Sequence, residues 1–348
     1  MNLALAVFAA ILLVAGLTLY AVLGGADFGT GAWDLLAGRG RRAERIRALL
    51  NSSMGPVWEA NHVWLIFTLV VMWTAFPTAF ASVMSTMYIP LFLAAFGIIL
   101  RGSSYAFRPL ARGTWFEWPS AVAFGVASIM TPFFLGTVIG GIAGGHVPLG
   151  NAEGNAVSAW WNATGIMVGV MAVVTGAYLA AIFAMADAHR RNEADLRAWF
   201  RVRGLVTGVL SGAVAFATLP VLAVDAPALF DDLVSGAGLF GVVPSFVLGG
   251  VTLWLVWDSQ AARARWTAAG AVAAIAVGWA LAQAPDLLPP SVTVEDAAAP
   301  SATLWALVVA AVIFVALVVP SLVLLFRLAL SDQLAHGLPP AEEEVAGV

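Results

Sequence analysis

Two carboxylates and a histidine stand inside apolar stretches of this chain, where ionisable groups are costly and usually face a protein interior or a water-filled cavity. Asp27 interrupts "YAVLGGADFGTGAWDLL" (residues 20–36), and Glu59 and His62 fall within "WEANHVW" (residues 58–64). Groups of this kind exchange protons, so the chemistry they suggest is a proton path. At helical spacing Tyr20, Gly24, Asp27, Gly31 and Asp34 share one narrow stripe, while Gly25 and Gly29 offer a small-residue face to a second helix. His62 follows Glu59 by three residues and shares its face, with Asn61, Trp58 and Trp64 alongside. Burial and nearby arginines act on such carboxylates in opposite directions, so the protonation state stays open. The bland alternative is an interfacial carboxylate that caps a helix or pairs with Arg39 or Arg41, a role that suits Asp34 best.

The elements that must position these groups follow from composition. Of 348 residues, 61% are hydrophobic and 10% charged, far from the balance of a soluble domain. The chain reads as an all-α polytopic membrane protein. A bilayer core of about 30 Å takes roughly 20 helical residues, and runs of that size lie near 3–24, 57–76, 79–100, 118–143, 163–186, 204–224, 236–257, 267–284 and 303–327. Residues 1–38 contain no Lys or Arg, so the first run reads as a retained span and not a cleaved leader. The chain has no cysteine, which excludes disulfides, cysteine-held iron–sulfur clusters and covalent c-type haem on it.

All 16 basic residues are arginine. Nine spans with the N-terminus outside put Arg39–Arg47, Arg101–Arg112, Arg190–Arg203, Arg263, Arg265 and Arg327 on one side, which the positive-inside rule makes cytoplasmic. The second and third runs are parted only at Pro77, and merging them into eight spans would destroy this sorting. Asp27, near the end of the first span, and Glu59, near the start of the second, then lie at similar depth by the cytoplasm. The tail 331–348 is short, acidic and placed on the same side. The first and fifth spans both run from a tyrosine (Tyr20, Tyr178) to an aspartate (Asp27, Asp187) and an arginine-rich loop, which fits either an internal repeat or two similar helix ends.

His62 is the one histidine of four within a clear span, so bis-histidine haem ligation inside this chain has no second member. A hydrogen bond to Glu59 is the better reading of it. Arg101 and Arg108 flank "GSSYAF" at the end of the third span, where they orient the helix and touch headgroups, or pair with a buried acid or a partner's cofactor propionate.

The order of motifs resembles subunit II of cytochrome bd quinol oxidases. It is carried by "YAVLGGADFGTG", "GPVWEANHVWLIF" and "FPTAFASVMSTMYIPLFLAAFGIILRGSSYAFR", then Trp115, Trp118, Pro132, Gly136, Gly140, Gly141 and "GAYL" at 176–179. The resemblance implies nine helices in two four-helix bundles plus a peripheral helix: a single domain over 1–330, with bundles at 1–143 and 163–284 and the peripheral helix at 303–327. It implies a haem-free subunit of the bacterial cytoplasmic membrane, bound to a subunit I that carries haems b and d, or b-type haems only. The pair would reduce dioxygen to water with quinol electrons and cytoplasmic protons. Lipid or quinone is the ligand class left open for this chain, and a small accessory subunit is a further candidate partner. Asp27 and Glu59, with Asn61 and His62, would line the proton route, Trp64 would border an oxygen route or serve packing, and Tyr20, Arg101 and Arg108 would support them. The chain departs from the family pattern at Gly24, where a first acid is expected, at Glu59 in place of Asp, at Ala60 for Gly, at His62 for Gln, and at Ala106, where an acid is usual. With fewer carboxylates, water, His62 or Tyr20 would have to carry part of the route. A secondary transporter, or a purely structural partner subunit, is the competing reading.

Overall fold

In a bilayer the backbone finds no water to bond, so each apolar run satisfies its own amides as a helix. The structure is a computed structural model and describes residues 2–54, 58–111 and 113–330, without the side chains of residues 2, 54, 58–60, 326, 329 and 330. Arg112 and the tail 331–348 lie outside the described residues.

Helix α1 (Asn2–Leu19) passes through a π-helical turn at Tyr20–Gly24 into α2 (Gly25–Leu36). The arginine-rich α3 (Arg41–Met54) precedes α4 (Trp58–Ala75), α5 (Pro77–Thr86), α6 (Tyr88–Ala106) and the single turn α7 (Arg108–Ala111). There follow α8 (Glu117–Ala143), α9 (Ala163–Arg190), α10 (Ala194–Asp225), the short α11 (Pro227–Ser235), α12 (Leu239–Trp257) and α13 (Ala261–Gln283). A two-stranded antiparallel ribbon, β1 (Asp286–Leu288) and β2 (Val292–Thr293), sets Asp286 opposite Thr293 and Leu288 opposite Val292 before α14 (Ser301–Leu330).

Among the described residues eight helical stretches are long and apolar enough to cross a bilayer, and α4 stands where the second expected span falls. Several boundaries differ from the sequence reading, α10 among them, which starts at Ala194 and not near residue 204. The first span continues to Leu36, because its glycines are held in helix by close neighbours and no proline ends it. The third is divided: Pro77 opens α5 after the non-helical Phe76, and Pro90 has no N–H to give the Thr86 carbonyl, so the helix restarts at Tyr88.

Helix α8 packs on α6 and α9, α9 on α10 and α13, α12 on α13 and α1 on α4, and α14 lies against α1 and α4. Helix α2 packs on both α8 and α9. That approach needs Gly29, where a Cβ would stand 2.0 Å from the Gly176 carbonyl oxygen. One turn on, Trp33 Nε1 donates to Ala177 O at 2.8 Å. Residues 178–188 of α9 are buried on every face, the mark of a helix at the centre of a bundle.

Cross-element contacts gather the arginines at one end. Arg45 of α3 donates to Asp195 at 2.8 and 2.9 Å and also to Glu193, which raises its guanidinium above the ordinary value, Asp195 contributing most. Arg201 of α10 donates to Val256 O at 3.0 Å, and Arg265 of α13 reaches Asp187 of α9 at 3.3 Å. At the opposite end His146 Nε2 lies 3.3 Å from Asp225 Oδ2.

A buried arginine–carboxylate seam at the helix junction

Asp27 has no solvent exposure. The sequence offered Arg39 and Arg41 as its nearby partners and a buried acid for Arg101; the structure joins Asp27 to Arg101 of α6. Arg101 Nη1 donates to Asp27 Oδ2 at 2.9 Å and Nη2 to Asp27 Oδ1 at 2.8 Å and to Asp27 O at 3.1 Å. Its Nε donates to Ser128 Oγ of α8 at 3.0 Å. One guanidinium thus ties α2, α6 and α8 together with the fork geometry that only arginine provides. The charge lies 5.1 Å from the Phe28 ring centroid and 5.0 Å from that of Phe124.

Asp34, two helical turns along the same stripe, is also buried and is clamped from two sides. Arg47 of α3 donates through Nε to Asp34 Oδ1 at 2.7 Å, and Arg108 donates to Oδ2. Arg108 Nη1 also donates to Asn51 Oδ1 at 3.0 Å, and its guanidinium lies 4.8 Å from the Phe124 centroid. Arg101 and Arg108 therefore pair with buried acids of their own chain and share one aromatic ring. Asp34 pairs with arginine as expected, but with Arg47 and Arg108, 13 and 74 residues away, in place of Arg39 or Arg41.

On α4, Asn61 is buried and His62 half-buried. The Glu59 side chain, and with it the expected Glu59–His62 hydrogen bond, lies outside the described residues. Trp64 packs edge-on against Phe67 at 6.3 Å and against Phe314 of α14 at 6.0 Å, in a cluster with Tyr20 and Phe28. The seam brings together Tyr20, Asp27, Phe28, His62 and Arg101. Ser128, Phe124, Arg47 and Asn51 escaped sequence reasoning. For Ser128 and Phe124, single residues in an apolar helix, no local signal exists; for Arg47, the helical polarity of 41–54 was the available clue.

Residues 5–329 match the family described as cytochrome bd terminal oxidase subunit II. The chain belongs to that family. Membership replaces the transporter alternative and agrees with a multi-pass, all-helical membrane protein. Cytochrome bd ubiquinol oxidase subunit 2 of Bacillus subtilis (strain 168) is 33% identical over 118 residues, 33% of this chain and 33% of the relative. Cytochrome bd-I ubiquinol oxidase subunit 2 of Escherichia coli (strain K12) is 27% identical over 201 residues, 54% of this chain and 50% of the relative. The chain spans from a third to half the length of these curated relatives. A chain of the bd oxidase from Geobacillus thermodenitrificans matches with a TM-score of 0.70 at 24% identity, covering 94% of this chain and 99% of that one, a likeness of fold.

Proposed function

We propose that this chain is the haem-free partner subunit of a bd-type terminal oxidase, which reduces dioxygen to water with quinol electrons at haems on subunit I. In this reading it braces the haem-bearing subunit and lends the complex a proton route from the cytoplasm. The observation that carries the reading is the polar seam, buried at the arginine-rich end of a helix bundle whose family match runs over 5–329. Both carboxylate oxygens of Asp27 accept from Arg101, so Asp27 acts as a fixed anchor that holds polar groups and water in place. Proton entry then falls to Glu59, at the start of α4. N-terminus outside and C-terminus in the cytoplasm is the orientation this route needs.

The test is oxygen-reduction turnover of the complex purified through a tag on this chain, with haem content measured on the same sample. Glu59→Gln lowers turnover about tenfold or more at unchanged haem content, in the range of a lost proton-transfer group. Unchanged turnover in the assembled variant removes the proton route, and haem-free material without a second polytopic subunit removes the oxidase reading.

A further inference from the structure

At the arginine-rich end the guanidinium groups are mostly held by the chain's own oxygens. Arg45, Arg47, Arg101, Arg108 and Arg265 meet carboxylates, and Arg201 donates to carbonyls at the end of α12. Arg203 of α10 and Arg42 of α3 are exceptions: among the described residues neither lies within 4.0 Å of a carboxylate oxygen. Arg42 acts on Arg203 as a like charge. Two cations that repel each other, with no carboxylate paired to either, are stabilised by an anion.

Arg203 is held ready for one. Its side chain turns back one helical turn, and the guanidinium carbon lies 3.2 Å from the centroid of the Trp199 ring, with Nη1 donating to Trp199 O at 3.1 Å. At that distance only a face-on stack fits. Trp199 is itself 8% exposed and is met edge-on at 6.1 Å by Trp33, the residue whose indole is bonded to Ala177 O of α9. The platform therefore belongs to the core where α2 and α9 meet. The bond to Trp199 O uses one N–H of five, and a guanidinium fixed in plane presents the others edge-on, the fork that takes two phosphate oxygens side by side.

The neighbouring surface indicates which phosphate. Val206 and Leu210 follow Arg203 at i+3 and i+7 and are 52% and 48% exposed, so an apolar stripe runs from the guanidinium along the membrane-spanning part of α10. Cations at the end of a span with apolar surface beside them match a phospholipid, headgroup at the end and acyl chain alongside. A free phosphate would use the first feature and not the second.

We propose that Arg203, stacked on Trp199, and Arg42 bind the phosphate of an anionic phospholipid in the leaflet at the arginine-rich end, its acyl chain lying along Val206 and Leu210. The site is separate from the seam, whose Arg101 and Arg108 are committed to Asp27 and Asp34.

The experiment uses the complex purified through a tag on this chain and washed of lipid in detergent. Dioctanoyl-phosphatidylglycerol, dioctanoyl-phosphatidylcholine and inorganic phosphate are titrated separately, with bound lipid counted by native mass spectrometry and the thermal midpoint followed. Phosphatidylglycerol is expected to bind the parent saturably and raise its midpoint. Arg42→Gln with Arg203→Gln weakens that binding about tenfold or more, the size of one lost charge-assisted hydrogen bond. Arg197→Gln with Arg263→Gln removes the same charge at the same end and leaves it within about twofold. Equal weakening in both pairs overturns the site, and so does phosphatidylcholine binding as tightly as phosphatidylglycerol. A midpoint shift by inorganic phosphate equal to that by phosphatidylglycerol overturns the lipid as the source of the phosphate. Binding that tightens about tenfold when the acidic residues 331–348 are deleted overturns it in favour of the tail as occupant. If the double variant does not assemble, Arg42→Gln alone, at an exposed side chain, is expected to weaken binding about threefold, and unchanged binding there overturns the proposal.

Discussion

Replacing Arg101 with methionine tests how the seam is held. The change keeps a long side chain and deletes the donor pair to Asp27 and the bond to Ser128. Asp27 has no solvent exposure and, among the described residues, no second cation within ion-pair distance, so its carboxylate would be left buried and uncompensated. Breaking a buried pair this way costs about 3–5 kcal/mol, against about 5–15 kcal/mol for a whole domain. The single variant is therefore expected to lose a large part of its stability. Removing both charges, with Asp27→Leu and Arg101→Met together, leaves no stranded charge, and such replacements are about neutral or stabilising by about 1–4 kcal/mol. The assay is the thermal midpoint and yield of the tagged complex, followed by tryptophan fluorescence, for the parent, both single variants and the double variant. The expected coupling between the sites is several kcal/mol, with the double variant more stable than Arg101→Met. Single effects that add to within about 0.5 kcal/mol, the range of independent sites, would refute the assignment of a desolvated pair. Turnover of the double variant adds a second readout: restored stability with turnover still low means that the pair serves the route as well as the fold.

Gly29→Ala should be severe although it adds one methyl group, since the new Cβ would meet backbone at 2.0 Å and part α2 from α9; loss of assembled complex on size-exclusion chromatography checks it. Asp34→Asn should destabilise the chain by about 1–3 kcal/mol and lower the thermal midpoint less than Arg101→Met does, because Arg47 and Arg108 are partly exposed and can turn to water. Arg45→Ala breaks an exposed cluster with Glu193 and Asp195, so midpoint and yield should match the parent at 0.15 M salt. In the β1–β2 connection to α14, hydrogen bonds from Thr293 hold the Asp296 carboxyl below its ordinary value. A lowered value in the folded state gives stabilisation that is full above the ordinary carboxylate range and lost as pH falls through the folded value. Hydrogen-exchange protection of this connection should therefore be the same at pH 5 as at pH 7.

How far the sequence reaches is clearest along α2. The stripe Tyr20, Asp27, Asp34 and the face Gly25, Gly29 are local periodicities, and a helix obeys them whatever surrounds it, so both were legible. The all-helical fold was legible for the same reason, since apolar runs of bilayer length satisfy their amides only as helices. The division at Pro90 was signalled by the proline itself, although the apolar run concealed it. Which acid each arginine meets was not legible. Asp27 meets Arg101 across 74 residues, and that pairing exists only because α6 returns beside α2 at the arginine-rich end. Arg39 and Arg41 are nearer in sequence but lie beyond the end of α2, where neither is an ion-pair partner of Asp27 among the described residues.

That difference changes the reading of the site. From sequence, Asp27 and Glu59 are both candidates for a proton route, at similar depth near the cytoplasm. With a guanidinium on both oxygens, the Asp27 carboxylate is held by charge-assisted hydrogen bonds. A mobile proton is better carried by groups that are not gripped in this way. At the seam the Tyr20 hydroxyl is buried and has no hydrogen-bond partner among the described residues. In the function proposed above, the acid therefore holds the polar groups in place and proton entry falls to Glu59.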